Sequence, residues 1–160
     1  MRAGLALVMI GEDNVLMQGW WNPLMTDDGS FDLILFGARG DLARRKLLPS
    51  LFALFVDGQM PADWRLIGVS RSNLSGEAYR SMLRQEIPQR GLDAEDFEAQ
   101  WEAFSAHLAY CALDATSASD VTQLKAEIRH DRVIHYLSTR ADLYSTIANN
   151  LADAGLAGAQ

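Results

Sequence analysis

Residues 31–52, FDLILFGARGDLARRKLLPSLF, constrain this chain more than any other stretch, because strand, glycine turn and basic helix follow one another without a break. Asp32 to Phe36 is a nearly unbroken apolar run, the pattern of a parallel strand buried on both faces, and Gly37 and Gly40 punctuate its end. Leu42, Leu47, Leu48, Leu51, Phe52 and Phe55 then fall near one helical face, so the helix packs one side on a sheet and leaves its first turn open. Backbone N–H groups and the positive end of the helix dipole meet at that turn and favour an anion.

The glycines leave two readings open. A dinucleotide fingerprint places glycine at three positions, and this turn supplies two, with Arg39 and Leu42 at the others. A turn without a ligand would use the same residues for positive φ and close packing. Asp41 sharpens the choice: a carboxylate suits a helix start but opposes a phosphate, and Arg39, Arg44, Arg45 and Lys46 must restore a positive field.

Strands and helices alternate further on. Trp64 to Ser70 reads as a strand, Gly76 to Ile87 and Asp93 to Ala106 as helices, and Leu108 to Leu113 as a strand. Ser117 or Ser119 opens a helix over Asp120 to Arg129, Arg132 to Ser138 is a strand, and Asp142 to Ala154 is a helix closed by Gly155. This alternation predicts an α/β fold: a Rossmann-like, doubly wound, mainly parallel sheet with helices on both faces and its ligand beyond the strands' C-terminal ends.

Composition excludes several classes. The 160 residues suit a single core, and 49% hydrophobic with 22% charged is ordinary globular chemistry. A net charge of −7 argues against general affinity for nucleic acid, so a basic cluster in an acidic chain points to a small anionic ligand. Cys111 is the single cysteine, which excludes an internal disulfide, and no metal site is expected. No apolar run is long enough to span a membrane, and a cytoplasmic location is the expectation. Residues 1–30 form a leader of different character, apolar from Ala3 to Ile10, with Trp20, Trp21 and an acidic turn at Asp27 to Ser30. It lacks a clear cleavage site for export and is expected to be dispensable for the fold.

GARGDLARRKLLPSLF resembles the N-terminal signature of glucose-6-phosphate dehydrogenases, carried by Gly37, Gly40, Asp41, Leu42, Ala43, Arg44, Arg45, Lys46 and Pro49. Arg39 stands where that family often has Ser or Thr. The resemblance implies that residues 31–160 are a dinucleotide-binding domain, incomplete at its C-terminal end. It also implies that the cofactor's pyrophosphate lies over Gly37, Ala38, Arg39, Gly40, Asp41, Leu42, Ala43 and Arg44. Arg71, followed by Ser72, ends the second strand of that unit, where a carboxylate would read a free ribose 2′-hydroxyl. A guanidinium forks onto a phosphate instead, so NADP is the expected cofactor; without the resemblance, Arg71 would read as a solvated charge.

In similar proteins a segment like Asp114 and Ala115 approaches the adenine, although Asp114 also reads as a turn carboxylate. Tyr136 lies where the family has an aromatic residue beside the cofactor, but it also fits a buried core. Arg140 and Ala141 replace two prolines common in the family. Lys46 is either a contact for the sugar phosphate of glucose 6-phosphate or a solvated helix lysine.

No catalytic residue is assigned. His107 and His130 read as solvated and His135 as structural. The family's catalytic His lies in an Asp-His-Tyr-Leu-Gly-Lys segment, with a Glu-Lys-Pro segment before it, and neither occurs in these residues. The homo-oligomeric family forms its dimer through a further domain that these residues do not include. Two functional readings follow. One is the cofactor half of an enzyme that oxidises glucose 6-phosphate in the pentose phosphate pathway, inactive by itself; the other is a nucleotide-binding module without chemistry.

Overall fold

The computed structural model describes residues 29–157 and the backbone of Ala6–Met9. Five parallel strands form one sheet: β1 Ala6–Met9, β2 Phe31–Phe36, β3 Trp64–Ser70, β4 Leu108–Ala112 and β5 Val133–Leu137, in the order β1-β5-β2-β3-β4. Four residues of the leader thus join the sheet at the outer edge of β5, with Ala6 opposite Val133 and Met9 opposite Tyr136. Trp20, Trp21 and the start of the acidic turn lie outside the described residues.

The helices are α1 Leu48–Val56, α2 Gly76–Arg84, α3 Ala94–Ser105, α4 Ala118–Glu127 and α5 Tyr144–Asp153. Alternation along β2 divides the core into two layers. Phe31, Leu33 and Leu35 pack with Leu48 and Phe52 of α1, Tyr79 of α2, and Phe97 and Phe104 of α3. Ile34 and Phe36 pack on the opposite face with Val121 and Leu124 of α4 and Ile147 and Leu151 of α5. Ser75 accepts from Ala78 N–H, and Ser117, rather than Ser119, caps α4; Asp93, read as the first helical residue, instead caps α3 by accepting from Asp96 N–H.

The helix after the glycine turn has a feature that its periodicity did not predict. Ala43–Leu47 is wound as a π-helix before α1 begins, and Leu48 N–H donates five residues back to the Ala43 carbonyl. Pro49 explains the widening, since it offers no N–H to the Arg45 carbonyl four residues earlier and its ring would clash there.

Two histidines expected to be solvated are held at the strands' N-terminal ends. The His107 ring stacks on Trp64 at a centroid distance of 4.5 Å, and its Nδ1 lies 2.7 Å from the Trp64 carbonyl. The His130 ring sits between Asp32 and Asp63 at 3.1 and 3.2 Å, the Asp32 contact lying off the line of a hydrogen bond. Asp32 is fully buried, and its Oδ2 accepts from Arg129 N–H at 2.7 Å and His130 N–H at 2.8 Å. Burial needs partners for these polar groups, a requirement that short-range periodicity does not register. His135 is buried on β5 with Nε2 2.8 Å from the Leu156 carbonyl, in agreement with its structural reading.

Candidate functional site

The chain leaves β2 toward β3 on one side, while β5 lies on the other, so the boundary between β2 and β5 is the switch point of the sheet. A cleft of about 480 Å³ opens there, bounded by the segments that follow β2, β3, β4 and β5. Its floor is the glycine turn. Gly37 has φ +78°, a conformation that favours glycine, and the Ser138 backbone packs directly against it. Gly37 and Ala38 N–H both donate to the Val69 carbonyl, at 3.0 and 3.1 Å, which ties the turn to β3. Gly40 N–H donates to the Gly37 carbonyl at 2.8 Å, and Arg44 N–H makes the bond to Gly40 that starts the helix. The amides of Asp41, Leu42 and Ala43 precede that bond and form the helix's open first turn.

The basic residues divide between two tasks. Arg39 and Arg71 line the cleft, and Arg39 Nη1 donates to Ser72 Oγ across its mouth. Arg44 faces elsewhere, donating to Glu86 Oε1 at 2.8 Å and to Asp41 Oδ1 at 3.0 Å. Arg45 lies 3.8 Å from the same Asp41 oxygen. The Asp41 carboxylate is thereby balanced by its own helix instead of capping it, and the cations of the cleft are Arg39, Arg71 and Arg140, the last paired with Asp142. Lys46 is exposed on the helix and does not line the cleft.

Asp114 combines both readings of the sequence. Its Oδ1 accepts from Thr116 N–H at 2.9 Å and from Thr116 Oγ1 at 2.7 Å, forming a turn, and the residue also lines the cleft beside Ala115. The Thr116 bonds, with the Arg71 charge as a smaller contribution, hold its carboxyl below the usual range. Tyr136 lies outside the cleft, buried in the layer that packs against α1; burial raises its phenol, and neighbouring Tyr144 adds to the shift. Ala38 and Ala43 are fully buried and Leu42 is half-buried, so these three can offer a ligand only backbone.

Sequence reasoning missed Thr116, Ser138 and Thr139, which line the cleft, and gave Arg140 no binding role. Each lies at or just after the C-terminal end of a predicted strand, the available signal. The Ser138 hydroxyl is buried without a hydrogen-bond partner. A closely approached glycine turn, an open helix start and this unpaired hydroxyl together fit a ligand rich in acceptor oxygens.

Parallel strand order, switch-point cleft and glycine turn define a dinucleotide-binding domain of the doubly wound α/β class. The chain belongs to the glucose-6-phosphate dehydrogenase family: the family described as "Glucose-6-phosphate dehydrogenase, NAD binding domain" matches residues 34–160. The chain is 34% identical over 126 residues to glucose-6-phosphate 1-dehydrogenase of Rhizobium meliloti, covering 77% of this chain and 26% of that protein. It is 35% identical over 129 residues to the Leuconostoc mesenteroides protein of the same name, covering 76% of this chain and 26% of that one. The crystal structure of glucose-6-phosphate 1-dehydrogenase from Mycobacterium avium superimposes with a TM-score of 0.70 at 28% identity, over 79% of this chain and 27% of that chain. The chain therefore spans about a quarter of the length of these relatives. A nicotinamide dinucleotide is the cofactor class of the family's domain.

Proposed function

We propose that this chain is the NADP-holding part of a glucose-6-phosphate dehydrogenase, and that the complete protein oxidises the C1 hydroxyl of glucose 6-phosphate to the lactone. The observation that carries the cofactor choice is Arg71, exposed at the end of β3 on the cleft wall. A carboxylate there would accept from a free 2′-hydroxyl, whereas a guanidinium cannot accept and binds a 2′-phosphate through charged hydrogen bonds.

The remaining roles follow from position. The amides of the glycine turn and the helix start hold the pyrophosphate, with Arg39 as its nearby cation. Ser138 and Thr139 flank the turn with hydroxyl donors, and Ala115 with Leu113 offers an apolar wall to the adenine. NADP supplies the hydride acceptor. Oxidation also needs a base for the sugar hydroxyl proton, and the histidines of these residues stand elsewhere: His107 and His130 at the opposite end of the sheet, His135 under α5. Residues 1–160 accordingly bind cofactor without dehydrogenase turnover.

Titration of the chain and its Arg71→Glu variant with NADP and NAD tests this reading. NADP affinity falls about 10- to 100-fold in the variant, the loss of hydrogen bonds to a charged group, while NAD changes by less than about 3-fold. Equal losses for both nucleotides would remove Arg71 from the 2′-phosphate.

A further inference from the structure

We infer that Tyr110, on β4 and outside the cleft wall, is a positioning residue that sets NADP over NAD by fixing the turn that carries Arg71; this rests on the cofactor reading above. The Tyr110 hydroxyl donates to the Ser72 carbonyl at 2.7 Å. Its single proton is committed there, so the Ser70 hydroxyl 2.6 Å away is the donor of the bond that joins the two. The Ser70 oxygen in turn accepts the Ser72 N–H at 3.3 Å. Both backbone polar groups of Ser72 are thus held by one pair of side-chain hydroxyls, and its own hydroxyl accepts from Arg39.

Arg71 sits inside this closed set of bonds, between Ser70 and Ser72, with its side chain exposed. The backbone is fixed and the guanidinium is free, the combination that orients a charged fork without using up its donors. The Tyr110 ring is placed independently of the hydroxyl, tilted at 32° against the Tyr79 ring with centroids 4.8 Å apart. Removing only the hydroxyl therefore leaves the ring packing in place and releases the Ser72 carbonyl. What is lost is the position of Arg71 relative to the ribose, and a ligand without a 2′-phosphate does not register that loss.

The test uses Tyr110→Phe and Ser70→Ala in the full chain, titrated with NADP and with NAD alongside thermal melting. NADP binding weakens about 3- to 10-fold in each single variant, the range of one or two hydrogen bonds, NAD changes less than about 2-fold, and the double variant loses no more than the worse single one. Equal weakening of both nucleotides, or full NADP affinity in both variants, would overturn the role of Tyr110 while leaving the cofactor reading intact. A wild-type chain that binds NADP no better than NAD overturns that reading and this inference together.

Discussion

Gly37 stands so close to Ser138 that a Cβ added to it would lie 2.2 Å from the Ser138 carbonyl oxygen and 2.8 Å from its carbonyl carbon. The contact joins the turn after β2 to the segment after β5 at the switch point, so the width of the cleft floor depends on a missing side chain. Gly58 makes a useful comparison, because its φ of +66° also lies in the left-handed region but nothing stands within 4 Å of its added Cβ. Gly58→Ala costs about 1 kcal/mol of conformational strain, whereas Gly37→Ala pays that strain and displaces backbone as well, at least about 2 to 3 kcal/mol. Urea unfolding of the two variants measures the difference, and similar losses would mean that the switch-point contact yields easily.

Tyr79 presents the opposite situation, a large side chain filling the space above a glycine. A Cβ on Gly68 would meet the Tyr79 ring and hydroxyl at 2.6 to 2.9 Å, and the hydroxyl itself is buried without a hydrogen-bond partner. Burial drives its pKa far up, with Tyr110 adding to the shift. Tyr79→Phe keeps the ring and relieves the unpaired oxygen, so stability in urea is unchanged or rises by up to about 1 kcal/mol. A loss of more than about 1 kcal/mol would show that the hydroxyl has a partner in solution.

His135 makes stability depend on pH. Its burial lowers the imidazole pKa below the ordinary 6.5, only partly opposed by the bond to Leu156. The unfolded chain then binds the proton more readily, so His135 contributes full stability above about pH 6.5 and loses it as pH falls through the lower folded value. In that window wild-type stability declines by up to about 1.4 kcal/mol per pH unit on this account, and His135→Gln, which retains a donor for Leu156, declines less steeply. Parallel pH profiles for the two proteins would contradict it.

Most of the fold was legible because its signals are local and repeated. The β2 run, the alternation of strands and helices, and a cap such as Ser117 depend on neighbours in the chain. The site was legible less evenly. Gly37, Gly40, Arg71 and Asp114 lie on the cleft because position at a strand's C-terminal end is itself a sequence signal. Arg44 looked like a phosphate contact and pairs with Glu86, which lies 42 residues away and gives no local cue. Tyr136 faces the α1 layer because strand alternation sets its side, which an aromatic position shared with relatives does not reveal. Ser138 and Thr139 were missed because their place on the cleft comes from β5 lying beside β2, a pairing created by topology. The π-helical segment at Ala43–Leu47 was written in Pro49, whose effect reaches back to residues before it.

Calorimetric titration of the unmodified chain with NADP and with NAD, at one ionic strength, tests the central claim most directly. Saturable binding at one site, with NADP tighter than NAD by about tenfold or more, is the predicted result, since a 2′-phosphate adds charged hydrogen bonds at Arg71. Equal affinities, a preference for NAD, or no binding of either nucleotide would contradict the account.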